Sequence, residues 1–171
     1  SVEFYFNNVK NMISTIYKSD GMYYANNDQI DLYGFNINFQ NRLFHYFDFS
    51  SVYSYTNGIS DDKKIVEGIS KHTFNMRIKY NIFNQFNILF TTKYNSSKNV
   101  FVYDTGENKL LEGYSISDIL LGAKYKTTTI KVGFKNIFNY LDPGRLNSNS
   151  KEFLTTTDPG RRFYFNIIFS I

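Results

Sequence analysis

The last eleven residues, Arg161–Ile171, read RRFYFNIIFSI. Side chains alternate faces along a β-strand. Phe163, Phe165, Ile167, Phe169 and Ile171 therefore share one face, and Arg162, Tyr164, Asn166, Ile168 and Ser170 share the other. The first face is wholly apolar, and the pattern runs to the final residue. A transmembrane β-strand needs about 9–11 residues with alternate positions toward lipid, and this segment has that length. The fold depends on whether other strands of the chain repeat the pattern.

They do. Working back, Ile130, Val132 and Phe134 alternate with Lys131, Gly133 and Lys135, and Ile119, Leu121, Ala123 and Tyr125 alternate with Leu120, Gly122, Lys124 and Lys126. Phe86, Ile88, Phe90, Thr92 and Tyr94 alternate with Asn87, Leu89, Thr91, Lys93 and Asn95. Phe74, Met76, Ile78, Tyr80 and Ile82 do so with Asn75, Arg77, Lys79 and Asn81. The same period appears over 47–56, over 33–40, and from Val2 to about Tyr17, where the phase breaks near Asn8–Asn11 as at a bulge. A turn is expected at Lys18–Gly21.

The connections sort by length. Tight turns are expected at Asn41–Arg42, Asn84–Gln85 and Thr127–Thr129, and long polar loops over 57–71, 96–113 and 140–160. The last loop holds both prolines, each followed by glycine, which is turn chemistry. Short turns on one side and long loops on the other are the habit of outer-membrane barrels. The predicted fold is all-β, with about eight antiparallel transmembrane strands.

Composition agrees. Of 171 residues, 19% are aromatic with no tryptophan, and the mean hydropathy is −0.37. No run approaches the roughly 18 apolar residues of a membrane helix, whereas barrel strands are only half apolar. Cysteine is absent, which excludes a disulfide framework, a thiolate zinc site and a cysteine nucleophile. A net charge of +4 gives no ground for a nucleic-acid partner. The chain opens at Ser1 without a signal peptide, so the sequence predicts either a mature form or a piece of something longer.

Several stretches resemble the C-terminal part of TonB-dependent outer-membrane receptors. VGFKNIFNYLDPG, from Val132, is similar to that family's penultimate strand with its Asn-Leu-Phe-type ending, here Asn136-Ile137-Phe138-Asn139. DPGRRFYFNIIFSI is similar to its Pro-Gly-Arg plus terminal aromatic strand. FYFNNVKNMI, YANNDQIDLYGFNINFQ with Gly34, FDFSSVYSYT and KHTFNMRIKYNI resemble successive upstream strands. The resemblance implies a barrel of about 22 strands around a plug, of which residues 1–171 would be a C-terminal segment with no plug domain. It implies energised uptake of a nutrient of the siderophore, haem, cobalamin or glycan class across the bacterial outer membrane. The implied partners are outer-membrane lipid, the remaining barrel and plug (in the same or a separate chain), and a TonB-type energy-coupling protein acting through the plug. Other readings are a complete small eight-stranded barrel with a structural or adhesion role, and a soluble lipid-binding β-barrel.

The two faces supply the candidate residues. Phe163, Phe165, Ile167, Phe169, Ile171, Ile130, Val132, Phe134, Phe86, Ile88 and Phe90 are expected to face lipid. Arg77, Lys79, Lys93, Lys124, Lys131, Lys135 and Arg162, with Lys126, are expected to face the lumen, against few inward acids: Glu3, Asp48 and Asp118. Unpaired buried charge costs several kcal/mol per ion, so this imbalance favours a wide, water-containing lumen over an interior filled by side chains. An open arc of strands would then need other segments to satisfy its edges in lipid. Tyr53, Tyr55, Tyr80, Tyr94 and Tyr125 suit interfacial girdles. No catalytic constellation, cofactor site or metal site emerges, and the chain is not expected to be an enzyme. His45, beside a short turn, and His72, at the end of a long loop, are predicted to lie on opposite sides of the membrane. Asp61-Asp62-Lys63-Lys64 reads as a solvated loop tip.

Overall fold

The computed structural model describes residues 1–10, 12–18, 21–27, 29–44, 46–60, 68–102, 107–141 and 160–169. They form β1 (Val2–Val9), β2 (Met12–Lys18), β3 (Gly21–Asn27), β4 (Ile30–Leu43), β5 (Phe47–Ser60) and β6 (His72–Ile82). A 3-10 turn (Phe83–Gln85) leads to β7 (Phe86–Asn95), β8 (Lys98–Val102), β9 (Glu107–Leu111), β10 (Tyr114–Tyr125), β11 (Thr128–Lys135) and β12 (Arg162–Phe169). Eight strands hydrogen-bond in the order β1-β4-β5-β6-β7-β10-β11-β12, while β2–β3 and β8–β9 form separate two-stranded ribbons. This is the eight-stranded antiparallel sheet that the alternation predicts, with two hairpins added.

The hairpins correct the expected layout. The strand expected over Val2–Tyr17 is two strands, β1 and β2, separated where a bulge was predicted. β1 pairs with β4 up to Val9 opposite Ile30, and β2 pairs with β3 from Met12–Asn27 to Lys18–Gly21. Within the expected loop 96–113, β8 and β9 pair from Lys98–Leu111 to Val102–Glu107. Sequences such as Lys98–Val102 and Glu107–Leu111 carry no single apolar face. Their backbone pairing leaves no period-two hydrophobic signal to detect. β5 also runs on to Ser60, past the expected start of its loop.

The turn expected at Asn41–Arg42 lies further on, because β4 continues to Leu43 and β5 begins at Phe47. Phe44, Phe83 and Lys126, one at each short connection, have φ of 53°, 48° and 50°. A tight hairpin needs left-handed residues to match the strand twist, and here non-glycine residues supply them.

The described residues fall into two compact units, one of residues 1–37, 54–73 and 96–113, the other of residues 38–53, 74–95 and 114–171. In the first, Tyr5 lies opposite Gly34. Its hydroxyl hydrogen-bonds with the Thr56 hydroxyl (2.5 Å) and donates to the Tyr55 carbonyl (3.3 Å). Glycine is required under this ring: a methyl group at Gly34 would overlap the Tyr55 carbonyl oxygen and lie 2.6 Å from the Tyr5 hydroxyl. An aromatic side chain folded over a strand glycine also pins register. Phe4, Phe35, Tyr55 and His72 form a ladder of rings, with successive centroids 6.1, 5.7 and 5.3 Å apart. His72 is thus the first residue of a strand and packs against Tyr55, rather than standing in a loop. His45 and residues 61–67 lie outside the described residues.

Burial is inverted relative to a water-soluble domain. Among the described residues the buried hydrophobic side chain is Ile30, while Asn95, Ser117 and Asn136 are buried polar ones. Phe4 and Phe6 of β1 and Phe163 and Phe169 of β12 are exposed.

Gly34→Ala is expected to destabilise the chain by about 1–3 kcal/mol, the usual cost of overpacking, because the obstacle is backbone and not a movable side-chain tip. Urea unfolding in detergent followed by tyrosine fluorescence checks this; an unchanged midpoint would contradict it.

Candidate functional site: a sheet with one apolar and one cationic face

The second unit settles which residues share a face. β12 pairs with β11 so that Phe163, Phe165 and Ile167 lie opposite Phe134, Val132 and Ile130. β11 in turn sets those residues opposite Ile119, Leu121 and Ala123 of β10, which lie opposite Phe90, Ile88 and Phe86 of β7. The apolar residues singled out in β7, β11 and β12 therefore form one continuous face, Phe169 included. Ile171 lies outside the described residues. Phe163 and Phe134 meet edge to face at 5.4 Å. The face is uncovered: Phe165 is 55% and Leu121 50% exposed, where a soluble domain would cover such a surface. Above Phe90, Thr92 reaches the Ser117 hydroxyl (2.8 Å), so the apolar band gives way to hydroxyls.

The opposite face carries the cations. Arg162 lies opposite Lys135, Asn166 opposite Lys131, Gly122 opposite Lys131, and Lys93 opposite Ile116. Lys124 lies opposite Thr129 on the same face. Like charges directly opposite each other are unfavourable, as at Lys135–Arg162. Lys126 is different from the expectation: it sits in the tight turn after β10, its Nζ 5.5 Å from the centroid of the Tyr125 ring. Arg77 and Lys79 of β6 converge with Gln40, Arg42, Asp48 and Ser50 on a concave pocket of about 530 Å³.

Among the described residues of the second unit, both acids of this face are already engaged. Asp48 accepts from Arg42 Nε at 2.5 Å. Asp118 accepts from the backbone N–H of Asn136 at 2.8 Å. Among the described residues no group of His, Cys, Asp or Glu is arranged to hold a metal ion.

Asn136 is the most deeply buried side chain described, and composition gives no hint of its importance. It ends β11 in the left-handed region (φ 51°), a conformation that Asn tolerates better than most residues. Its amide donates to the Tyr140 carbonyl and accepts from the Tyr140 N–H, both at 2.8 Å. Asn139, also left-handed at φ 55°, accepts from the Arg161 N–H at 2.9 Å. Tyr140 stacks on Tyr114 with centroids 5.1 Å apart. Residues 136–140 are thereby tied to both β10 and the start of β12. The signal was legible as the Asn-x-x-Asn spacing, but nothing local says that each amide closes a backbone turn. The prolines of the 142–159 connection lie outside the described residues.

An antiparallel sheet of strands with alternating apolar and polar faces, joined alternately by tight turns and long connections, is a segment of transmembrane β-barrel. Residues 1–139 match the family described as TonB dependent receptor-like, beta-barrel, and the chain belongs to that family. No curated protein matches the chain. Among solved structures, it resembles the copper transporter OprC, with 14% identity and a TM-score of 0.76 over 99% of this chain and 28% of that one. It resembles the siderophore receptor PirA from Acinetobacter baumannii, with 17% identity and a TM-score of 0.71 over 99% of this chain and 29% of that one. It also resembles the ferripyoverdine receptor of the outer membrane of Pseudomonas aeruginosa, with 12% identity and a TM-score of 0.65 over 81% of this chain and 21% of that one. The chain thus spans less than a third of the length of these structures. The family is one of receptors and transporters, not of enzymes. The match ends at Asn139, so β12 joins the barrel by its pairing with β11.

Asn136→Ala is expected to cost about 1–3 kcal/mol, since it removes two side-chain hydrogen bonds to the part-buried Tyr140 backbone. Retained stability in thermal unfolding, with unchanged protease resistance of the 142–159 connection, would show that the turn does not depend on this amide.

Proposed function

We propose that the chain is the C-terminal wall segment of a TonB-dependent transporter in the bacterial outer membrane, lying between lipid and a plugged, water-containing lumen. The observation that carries this is the register, which joins Phe86, Ile88 and Phe90 to Phe163, Phe165 and Ile167 across β7, β10, β11 and β12 as one uncovered apolar face. That face meets lipid. The face bearing Arg77, Lys79, Lys93, Lys124, Lys131, Lys135 and Arg162 meets the lumen. Its cations are solvated there or paired with acids of a plug domain.

β1 and β12 are the end strands of the sheet order, each with one neighbouring strand among the described residues. Hydrocarbon does not tolerate an unpaired sheet edge. Further barrel strands complete the wall, supplied with the plug by the same chain or a separate one. The function is energised uptake of a nutrient of the siderophore, haem, cobalamin or glycan class, with the TonB-type coupling protein acting through the plug. The named relatives handle copper and a ferric siderophore, which favours metal-associated cargo over a glycan.

The absence of cysteine makes the face assignment testable with single-cysteine variants in isolated outer membranes. Val132→Cys and Phe165→Cys are expected to react with a lipid-soluble maleimide and to resist a charged, membrane-impermeant one. Lys131→Cys and Asn166→Cys are expected to show the reverse preference once the membranes are opened. The same preference at all four positions sinks the assignment. The transport role is checked by deleting the gene: uptake of one ligand class should fall to background, as it should without the energy-coupling protein. Unchanged uptake across the panel overturns it.

A further inference from the structure

Three short turns lie along one edge of the sheet: β4–β5 at Phe44, β6–β7 at Phe83 and β10–β11 at Lys126. The Asn81 N–H donates to the Tyr46 carbonyl at 2.7 Å, Phe86 lies opposite Ala123, and Thr128 lies opposite Phe169. The turns therefore share that edge with the end of β12. Phe44 and Phe83 have left-handed backbones, with φ of 53° and 48°. Glycine and asparagine are the usual residues there, and a bulky side chain at positive φ is an outlier. Both rings are also exposed, Phe44 by 73% and Phe83 by 84%. A phenyl ring in water, at a position that disfavours phenylalanine, is unfavourable on both counts. Such an outlier points to a role for the ring outside the sheet itself.

We infer that the short-turn edge sits in the phospholipid headgroup layer of the leaflet it adjoins, with Phe44 and Phe83 as anchors at the turn tips. The inference rests on the proposal that the apolar face meets lipid, and it deepens that proposal by fixing how far along the wall the membrane reaches. Interfacial tyrosines of the strands meet this layer from the side, whereas here the turns themselves enter it. Continuity carries the assignment. Phe86, where the apolar face begins on β7, follows Phe83 by three residues. Phe44 stacks on Tyr46 at 6.0 Å, and Tyr46 meets the Tyr80 ring edge to face at 5.8 Å. Exposed Tyr125 and Phe169 continue the aromatic line to β10 and β12. Charge agrees with it. Residues 43–46, 82–86 and 125–128 read LFHY, IFNQF and YKTT, without an acid to repel lipid phosphate. Lys126, its Nζ 5.5 Å from the Tyr125 ring centroid, offers that phosphate an amine. Aromatic residues with lysine are the anchors of membrane–water interfaces. A protein partner fits less well, because binding hot spots cluster at the centre of a patch, whereas these rings are strung along an edge from β4 to β12.

The test uses bimane-labelled single-cysteine variants of the whole protein that carries this segment, with no other cysteine, in phosphatidylethanolamine–phosphatidylglycerol vesicles. Phe44→Cys and Phe83→Cys report the turn tips, and Phe165→Cys reports the apolar face. The turn labels are expected to be quenched more by a headgroup nitroxide lipid than by a mid-chain nitroxide lipid or by aqueous iodide. The Phe165→Cys label is expected to be quenched most by the mid-chain nitroxide. Turn labels quenched mainly by iodide lie in water, and those quenched mainly by the mid-chain nitroxide lie too deep; either result overturns the inference. Labels shielded from every quencher are covered by protein and overturn it too. If the Phe165→Cys label behaves as expected while the turn labels do not, the turn assignment alone fails. If neither lipid nitroxide quenches Phe165→Cys, the lipid-face proposal fails with it. A second measurement asks about the ring itself. Glycine relieves a left-handed turn, so Phe83→Gly would raise the urea midpoint in these vesicles if turn geometry alone mattered. The midpoint is expected to fall instead, through loss of the anchor. A rise or no change overturns the inference.

Discussion

Backbone hydrogen bonding between neighbouring strands is the constraint from which the rest of this structure follows. In hydrocarbon no water is available to satisfy an N–H or C=O group, so a strand must find both neighbours within protein. Every strand of the main sheet is antiparallel wherever its register is described, and the pairing of β12, β11, β10 and β7 runs without a slip. Because side chains alternate, one slip would move every phenylalanine of a strand to the wrong face. The ladder thus fixes both the satisfaction of the backbone and the separation of the apolar from the cationic face.

Several local devices hold that register where hydrophobic burial cannot. A water-soluble sheet pins its strands by packing one face into a core, but here Ile30 is the buried hydrophobic among the described residues. Tyr5 over Gly34 bridges to the Tyr55 carbonyl and Thr56 hydroxyl, linking three strands through one ring. At the other end of the sheet order, Gly133 lies opposite Tyr164, and a methyl at Gly133 would overlap the Ile119 carbonyl oxygen. Asn136 and Asn139 serve the turn that leaves β11. Their amides replace backbone pairing that stops at Lys135, so the long connection departs from a fixed base. Polar groups and glycines take the positioning role that aliphatic side chains have in a soluble core.

Much of the architecture was legible because its signal is local. Five apolar residues at alternate positions from Phe163 to Ile171 define a strand with a lipid-like face without reference to the rest of the chain. The same holds for Phe86–Phe90 and Ile130–Phe134, and the lengths of the connections then select a membrane barrel. The two hairpins were not legible. Lys98–Val102 and Glu107–Leu111 lack a one-sided apolar pattern, and what makes them strands is their pairing with each other. The break at Asn8–Asn11 marked a boundary between β1 and β2, but polar residues there leave bulge and strand end indistinguishable.

The sequence by itself determined the alternation, the sorting of connections by length, and the excess of cations on one set of alternate positions, because these depend only on residue order and strand geometry. Tertiary structure decided which strands are neighbours, and hence that Lys135 faces Arg162 while Phe134 faces Phe163. It decided that Asp118 is spent on the backbone of Asn136 and that Arg42 takes Asp48. It also brought Arg77 and Lys79 into one pocket with Gln40 and Ser50. Residues distant along the chain meet only through the hydrogen-bonded ladder, and the balance of charge at a point in space is a property of that meeting.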